Sequence, residues 1–254
     1  MAEPRKRKPP RTATVIRSTM VTPHMLRVTL GGAGLADFPD DQASAYIKLI
    51  MSRPAPDSDD KPTIRTYTVR SYDPVANELD VDFVMHDISG PAVDWAKAVQ
   101  PGDEIPVMGP GPKKVVDYSA DWFLLAGDMS ALPAISANIE GMPADAKGYA
   151  FIEIIDEADR QELDAPADLE LHWIVNPHPE RENTVLLDAV KDVEWREGRP
   201  SIWVAGEFSS ALSIRAYLKK ERGVSRHDLY ASSYWKMGES EDEHRVSKRD
   251  AAGD

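Results

Sequence analysis

Ile64-Arg65-Thr66-Tyr67-Thr68-Val69-Arg70-Ser71 is the stretch whose reading sets the first half of the chain. Read as a strand, its alternation places Arg65, Tyr67 and Val69 on one face and Thr66, Thr68 and Arg70 on the other. An aromatic ring two residues from a guanidinium, on one side of a rigid strand, can lie against a flat ring while the cation reaches phosphates attached to that ring. A flavin dinucleotide meets this demand. An ordinary strand with solvated arginines meets the local pattern as well, so the rest of the chain has to decide between them.

The chain has 254 residues, enough for one large domain or two of ordinary size, and its 42% hydrophobic and 29% charged content is that of a globular protein. It contains no cysteine, which excludes disulfides, iron–sulfur clusters, thiolate zinc sites and cysteine nucleophiles. No apolar run approaches the roughly 20 residues needed to span a bilayer. The basic N-terminus lacks the apolar core of a secretory signal, so the expected location is the cytoplasm, without membrane insertion. A formal net charge of −13 repels nucleic acid at long range. The exception is residues 1–11, with five positive charges and one negative, read as a solvated, disordered arm. The mixed-charge end, 239–254, is read the same way.

Short β-like runs at 12–18, 24–30, 45–51, 64–71, 77–86 and 104–108 are separated by Gly, Pro and Asp clusters, with one helical interruption at 91–99. That series predicts a small antiparallel barrel. After Pro110-Gly111-Pro112 the pattern changes. Buried-strand runs at 122–126, 148–155, 169–175 and 201–205 alternate with helical stretches at 131–140, around 186–191 and at 210–222, and a final strand is expected at 227–232. Strand and helix in alternation predict a parallel sheet with crossovers. The expected domains are 12–116 and 117–238.

Within 77–86, Leu79, Val81, Phe83 and Met85 share one face and Asp82, Val84 and His86 the other. Ser89-Gly90-Pro91-Ala92-Val93-Asp94-Trp95-Ala96 then reads as a helix start, with proline just inside it. Its free amides offer a pyrophosphate a seat. Taken alone, that stretch is better explained as a capped surface helix with Trp95 in the core.

The order of segments resembles one family. Arg65-Thr66-Tyr67-Thr68, then Asp82-Phe83-Val84-Met85-His86, then Gly90-Pro91-Ala92-Val93-Asp94-Trp95-Ala96 and Gly102-Asp103, then Leu124-Leu125-Ala126-Gly127-Asp128-Met129-Ser130-Ala131-Leu132-Pro133-Ala134, is similar to the siderophore-interacting proteins. These are flavin-dependent ferric-siderophore reductases of the ferredoxin–NADP reductase superfamily. Trp203-Val204-Ala205-Gly206-Glu207 and Tyr234-Trp235-Lys236-Met237-Gly238 also look like that family, and the resemblance runs over roughly residues 10–245.

The resemblance implies a Greek-key β-barrel that binds FAD, followed by an α/β domain that binds NADPH or NADH. It places Arg65 and Tyr67 at the flavin pyrophosphate and ring, with Thr66 beside them, and Thr68 at the catalytic position near the flavin N5. Asp82, Phe83, Val84 and His86 would lie along the ring and ribityl chain, and Gly90, Pro91, Ala92 and Trp95 would form the phosphate-cradling turn and helix. In the second half Asp128, Ser130, Gly206, Glu207, Tyr234 and Trp235 would contact the nicotinamide dinucleotide. Ala126-Gly127-Asp128-Met129-Ser130 and Gly206-Glu207-Phe208-Ser209-Ser210 each read as a strand-to-helix turn with a serine cap. Neither holds the G-x-G-x-x-G fingerprint. Asp156 and Glu157 favour a ribose hydroxyl over a 2′-phosphate, Arg160 would reverse that, and the family inclines to NADPH.

The implied reaction takes a hydride from NAD(P)H to FAD and then reduces a ferric siderophore by single electrons, releasing ferrous iron. The siderophore is the expected partner, and the protein is expected to act as a monomer. Ferric siderophores are often anionic, so their pocket should be locally basic in this acidic chain. Lys48, sharing a face with Tyr46 and Ile50, is the first expected contact, and the resemblance, with basic residues near the tail lining the family's siderophore pocket, suggests Lys236 as the second. The aromatic pair at 234–235 is expected to follow the last strand and cover the nucleotide pocket. His24, His172, His178, His227 and His244 show no metal-ligand spacing, so no protein-held metal is expected. Two other readings stay open: a reductase of free flavin or another small acceptor, and a non-enzymatic siderophore carrier.

Overall fold

The computed structural model describes residues 9–54, 61–86 and 89–251. In chain order the strands and helices are β1 (Arg11–Thr22), β2 (Met25–Gly31), β3 (Tyr46–Ser52), β4 (Thr63–Thr68), β5 (Ser71–Asp73), β6 (Glu78–Val84), α1 (Pro91–Ala98), β7 (Glu104–Met108), β8 (Trp122–Gly127), α2 (Leu132–Glu140), β9 (Lys147–Ile154), β10 (Asp168–Val175), α3 (Val185–Asp192), β11 (Pro200–Glu207), α4 (Phe208–Lys220), β12 (Leu229–Trp235) and α5 (Glu241–Ala251). The chain divides into two compact units, Met1–Val21 with Leu26–Lys113, and Thr22–Met25 with Lys114–Asp254.

The first unit is a seven-stranded sheet in the order β4-β3-β7-β1-β2-β6-β5. Pairing is antiparallel between β1 and β7, β3 and β4, β3 and β7, and β5 and β6. The two outermost strands, β4 and β5, are separated in sequence only by Val69 and Arg70, so the sheet has to curl until its ends meet. Val69 N–H donates to Ala45 at 2.8 Å and Arg70 N–H to Asp80 at 2.9 Å, carrying the chain from one end of the sheet to the other. The predicted single strand over 64–71 is therefore two strands with a corner between them. Alternate residues point into the barrel, where Val28, Leu30, Ile47, Leu49, Leu79, Val81 and Phe83 join Ala92, Val93 and Ala96 of α1 in one core.

The second unit is a five-stranded sheet in the order β10-β9-β8-β11-β12. Its strands are parallel, and the three inner ones, β8, β9 and β11, are largely apolar and buried because helices cover their faces, whereas the edge strands β10 and β12 are more polar and more exposed. Leu186 and Val190 of α3 and Ala211, Ile214, Tyr217 and Leu218 of α4 pack with Trp122, Leu124, Phe151, Ile202 and Val204. Every residue of α2 from Leu132 to Ile139 is buried. The chain lays down β8, β9 and β10 in one direction, then returns to start β11 beside β8. The topological switch point lies between β8 and β11, and sheets of this kind bind ligands outside the carboxyl ends of the strands there.

Three expectations about chain ends need correction. Residues 1–8 of the expected basic arm lie outside the described residues, but Arg11 belongs to β1, where its guanidinium donates to Asp37 and to the Gly109 carbonyl. The last strand runs on through Trp235, so Tyr234 and Trp235 end β12 and do not follow it. The charged end read as disordered contains α5. Composition argued for solvation, yet His244 is buried against Ser233, and Lys248 Nζ donates to the Ser233 carbonyl and the Ser232 hydroxyl, both at 2.7 Å. These contacts dock the helix on the edge strand of the sheet. Among the described residues no helix is long and apolar enough to cross a membrane.

Candidate functional site

In the first unit the antiparallel register sets the faces. Tyr67 lies opposite Ile47 and Arg65 opposite Leu49, on the side of the core, whereas Thr66 lies opposite Lys48 and Thr68 opposite Tyr46. Tyr67, Phe83 and Trp95 form a row of rings, with centroids 4.3 and 5.7 Å apart, that brings β4, β6 and α1 together. Arg65 is half-buried, and its Nη1 donates to the Ile64 carbonyl at 2.9 Å.

The start of α1 has Gly90 at its N-cap and Pro91 at its first position, with no side chain capping the amides. The Ser89 hydroxyl donates to Asp94 at 2.7 Å. A Cβ added at Gly90 would meet none of the described residues within 4 Å, so among them the turn is open, as the approach of an anion requires.

Two of the expected flavin contacts are spoken for by the protein. Asp82 is buried and accepts two hydrogen bonds from Arg27, Nε at 2.6 Å and Nη2 at 2.8 Å, so its carboxylate is a structural partner. Phe83 has no exposed surface and packs in the core, which leaves only its backbone for a ligand. Ala92 is also buried. Val84 is half-buried, and exposed His86 accepts from Lys97 Nζ through its carbonyl. Lys48 Nζ donates to the Thr66 hydroxyl at 3.3 Å, on the face opposite Arg65 and Tyr67.

In the second unit the carboxyl ends of β8, β9, β11 and β12 open into a cleft of about 730 Å³, bordered by Asp128, Glu153, Glu207, Trp235, Lys236 and the segment 181–184. Asp128 follows β8 at the switch point. Its Oδ1 accepts from the Ser130 amide and hydroxyl, and its Oδ2 accepts from Glu207 N–H at 2.7 Å and the Trp235 indole N–H at 2.8 Å. Burial of the carboxyl group pushes its pKa up, and the four donors pull against that. Gly206 is required beside it. Its φ is +137°, and a Cβ there would stand 2.6 Å from Asp128 Oδ2.

Neither expected serine cap forms. Ser130 bonds back to Asp128, and α2 has Ala131 at its N-cap without a side-chain bond. At α4 the cap is Glu207, whose Oε2 accepts from the Ser209 and Ser210 amides, so a carboxylate of the chain already sits on that helix start. Glu153 is buried at the end of β9 and accepts from Asn176 Nδ2 at 2.6 Å. Burial raises its pKa, the Asn176 bond lowers it, and the charges of Asp128 and Glu207 raise it further. Tyr234 packs edge-on against the buried ring of Trp203. Lys236 pairs with Glu239 and Ser247 over the Phe208 ring, so its ammonium is engaged within the unit. Asp156 caps the turn after β9, and Arg160 is held by Glu157.

Glu153, Asn176 and Arg27 were missed by sequence reasoning. Glu153 carried a signal, a lone carboxylate inside the apolar run Phe151-Ile152-Glu153-Ile154. Among the described residues no three His, Asp or Glu side chains are grouped to hold a metal ion.

Comparison with known proteins agrees with this arrangement. Residues 14–114 match the model of the siderophore-interacting FAD-binding domain, and residues 120–238 that of the siderophore-interacting protein. The chain is 37% identical to the ferric vibriobactin reductase ViuB of Vibrio cholerae serotype O1, over 92% of each chain. It belongs to the siderophore-interacting protein family. Among solved structures, this siderophore-interacting protein superposes on SipS from Aeromonas hydrophila with a TM-score of 0.86, at 33% identity over 97% of this chain and 99% of that one. A siderophore utilization protein from T. fusca gives 0.79 at 35% identity, over 92% and 96%. The first unit is thus an FAD-binding domain. The residues present suit that cofactor: a guanidinium at Arg65, an aromatic ring at Tyr67, and the uncapped, open helix start at Gly90.

Proposed function

We propose that this siderophore-interacting protein is an NAD(P)H-dependent ferric-siderophore reductase. The observation that carries the reading is the cleft at the switch point of the parallel sheet, in a chain whose other unit is an FAD-binding domain. The name of ViuB, a ferric vibriobactin reductase matched along nearly its whole length, supports the substrate class.

When bound, FAD supplies what the two substrates lack in common, accepting a hydride from a reduced nicotinamide and passing its two electrons singly to ferric iron. Arg65 and the amides at the start of α1 hold the pyrophosphate, and Tyr67 lies against the ring. Thr66 and Thr68 offer hydroxyls on the opposite face of β4, and Thr68 is the residue that would serve the flavin's reacting end. Val84, His86 and the backbone of Phe83 line the ribityl side, while Gly90, Pro91 and Trp95 shape the phosphate turn. Asp82 acts at one remove by fixing Arg27.

The second unit holds the nicotinamide dinucleotide in its cleft, with Glu207 and Trp235 at the wall, and Asp128, Ser130 and Gly206 forming the turn beneath. Lys48 is the cation offered to the anionic ferric chelate, a point charge suited to several chelates. The chain has no cysteine and hence no thiolate-held iron–sulfur relay of its own, so the flavin, when bound, would be the group that supplies single electrons to the chelate.

The test is anaerobic turnover of the FAD-loaded protein with NADPH or NADH and a panel of ferric catecholate and hydroxamate complexes, with ferrous iron trapped by a chromogenic chelator. Ferrous iron should form faster than with free FAD and nucleotide. Rapid reduction of added flavin without reduction of any ferric complex would make the protein a flavin reductase instead.

A further inference from the structure

One carboxylate joins three strand ends at the floor of the cleft. Asp128 follows β8, and its Oδ2 takes the main-chain N–H at the end of β11 and the indole N–H at the end of β12. Oδ1 is filled by two donors from Ser130. Each oxygen thus accepts two hydrogen bonds, the full capacity of a carboxylate oxygen, and nothing remains to offer a ligand. Trp235 is half-buried and stands at the cleft wall, so its ring, not the carboxylate, is the surface presented to an occupant.

We propose that Asp128 is a positioning residue: it fixes the indole of Trp235 as the surface on which the planar ring of the bound nicotinamide dinucleotide packs, without touching the nucleotide itself. This rests on the cleft being the nucleotide site, as proposed above. Gly206 is part of the same device, since any side chain there would displace the carboxylate. The ionised carboxylate is required chemically. An asparagine in its place carries one acceptor oxygen and turns an NH₂ group either toward Ser130, whose hydroxyl can accept but whose amide N–H then faces a donor, or toward Glu207 and Trp235, where both donors are lost, so at least one buried N–H goes unpaired whichever way the amide sits.

The experiment is a double-mutant cycle on the FAD-loaded protein, with Asp128→Asn and Trp235→Phe singly and together. The Kd for NADPH is read from the concentration dependence of anaerobic flavin reduction, and melting temperatures are taken in parallel. Trp235→Phe keeps a ring and removes the indole donor. Asp128→Asn should weaken nucleotide binding about tenfold in the wild-type background and less than about twofold in the Trp235→Phe background, because the coupled group is already gone. Its effect on melting temperature should persist in both backgrounds, since the Ser130 and Glu207 bonds are unaffected by Trp235. Losses in Kd that multiply would overturn the positioning role. A separate variant, Trp235→Ala, should weaken NADPH binding about tenfold or more by removing the ring. If it leaves the Kd unchanged, the nucleotide does not occupy this cleft, and the site assignment fails together with the inference.

Discussion

Arg27 and Asp82 hold each other across β2 and β6 in a two-pronged ion pair, with Asp82 only 6% exposed. Removing one member of a buried pair strands the other charge, at a cost of about 3–5 kcal/mol, whereas replacing both by apolar residues of similar size is close to neutral. Asp82→Asn should therefore destabilise the protein to urea by about 3 kcal/mol or more. Arg27→Met with Asp82→Leu should recover most of that. A single variant as stable as the wild type would show that the pair contributes little to holding the barrel together.

Arg65 is the cation proposed for the flavin pyrophosphate. Hydrogen bonds to charged groups contribute about 1.5–3 kcal/mol each, which corresponds to roughly one to two decades in affinity. Arg65→Ala should release FAD on dialysis under conditions in which the wild type stays yellow. Full retention of FAD by the variant would remove Arg65 from the site.

Glu153 gives a stability signal with a defined sign. Its pKa in the folded protein is raised from the ordinary 4.5, so the folded state binds the proton more readily than the unfolded chain. Stability consequently falls as pH rises from the ordinary glutamate range through the raised value. Glu153→Gln keeps an acceptor for Asn176 and removes the buried charge. Thermal melts should show the variant more stable than wild type at pH 7.5, with the difference shrinking toward pH 4. A difference independent of pH would mean that Glu153 does not titrate as its burial implies.

The docking of α5 depends on pH in the opposite direction. His244 is held below its ordinary pKa of 6.5 by burial first and then by Lys248 and Lys236, against the opposing charges of Glu239 and Glu207. Its neutral ring meets the Ser233 hydroxyl at 2.8 Å and the Phe208 ring edge-on. A base with a depressed pKa contributes stability above its unfolded value and loses it as pH falls through the window beneath. Hydrogen exchange of the α5 amides, corrected for intrinsic rates, should accelerate between pH 7 and pH 5, and His244→Gln should flatten that response. Protection of α5 that is unchanged over this range would contradict the assignment.

Most of the fold was legible because buried elements leave strong periodic marks. The run 104–108 matches β7 to the residue, and the parallel strands stood out as apolar runs bounded by turn residues. The pairing that decides individual roles was not legible. Asp82 looked like a ligand-facing carboxylate because its partner, Arg27, lies 55 residues away on a neighbouring strand. Serine seemed the natural cap at both strand-to-helix turns, yet Asp128 and Glu207 take the amides there because the packed strand ends bring those carboxylates back onto them. Helix α5 has a composition that reads as solvated, and it folds by docking His244 and Lys248 on β12, a tertiary effect no local pattern records.

The reaction itself is tested most directly by a single oxidative half-reaction. The protein, loaded with FAD and reduced anaerobically with NADPH, is freed of nucleotide and mixed with an excess of a ferric catecholate siderophore while flavin absorbance and ferrous iron are followed together. The account predicts that the flavin reoxidises as ferrous iron appears, with two irons reduced for each flavin because a hydride carries two electrons and ferric iron accepts one. Flavin that stays reduced in the presence of the ferric complex, and reoxidises only when oxygen or free flavin is admitted, would contradict it.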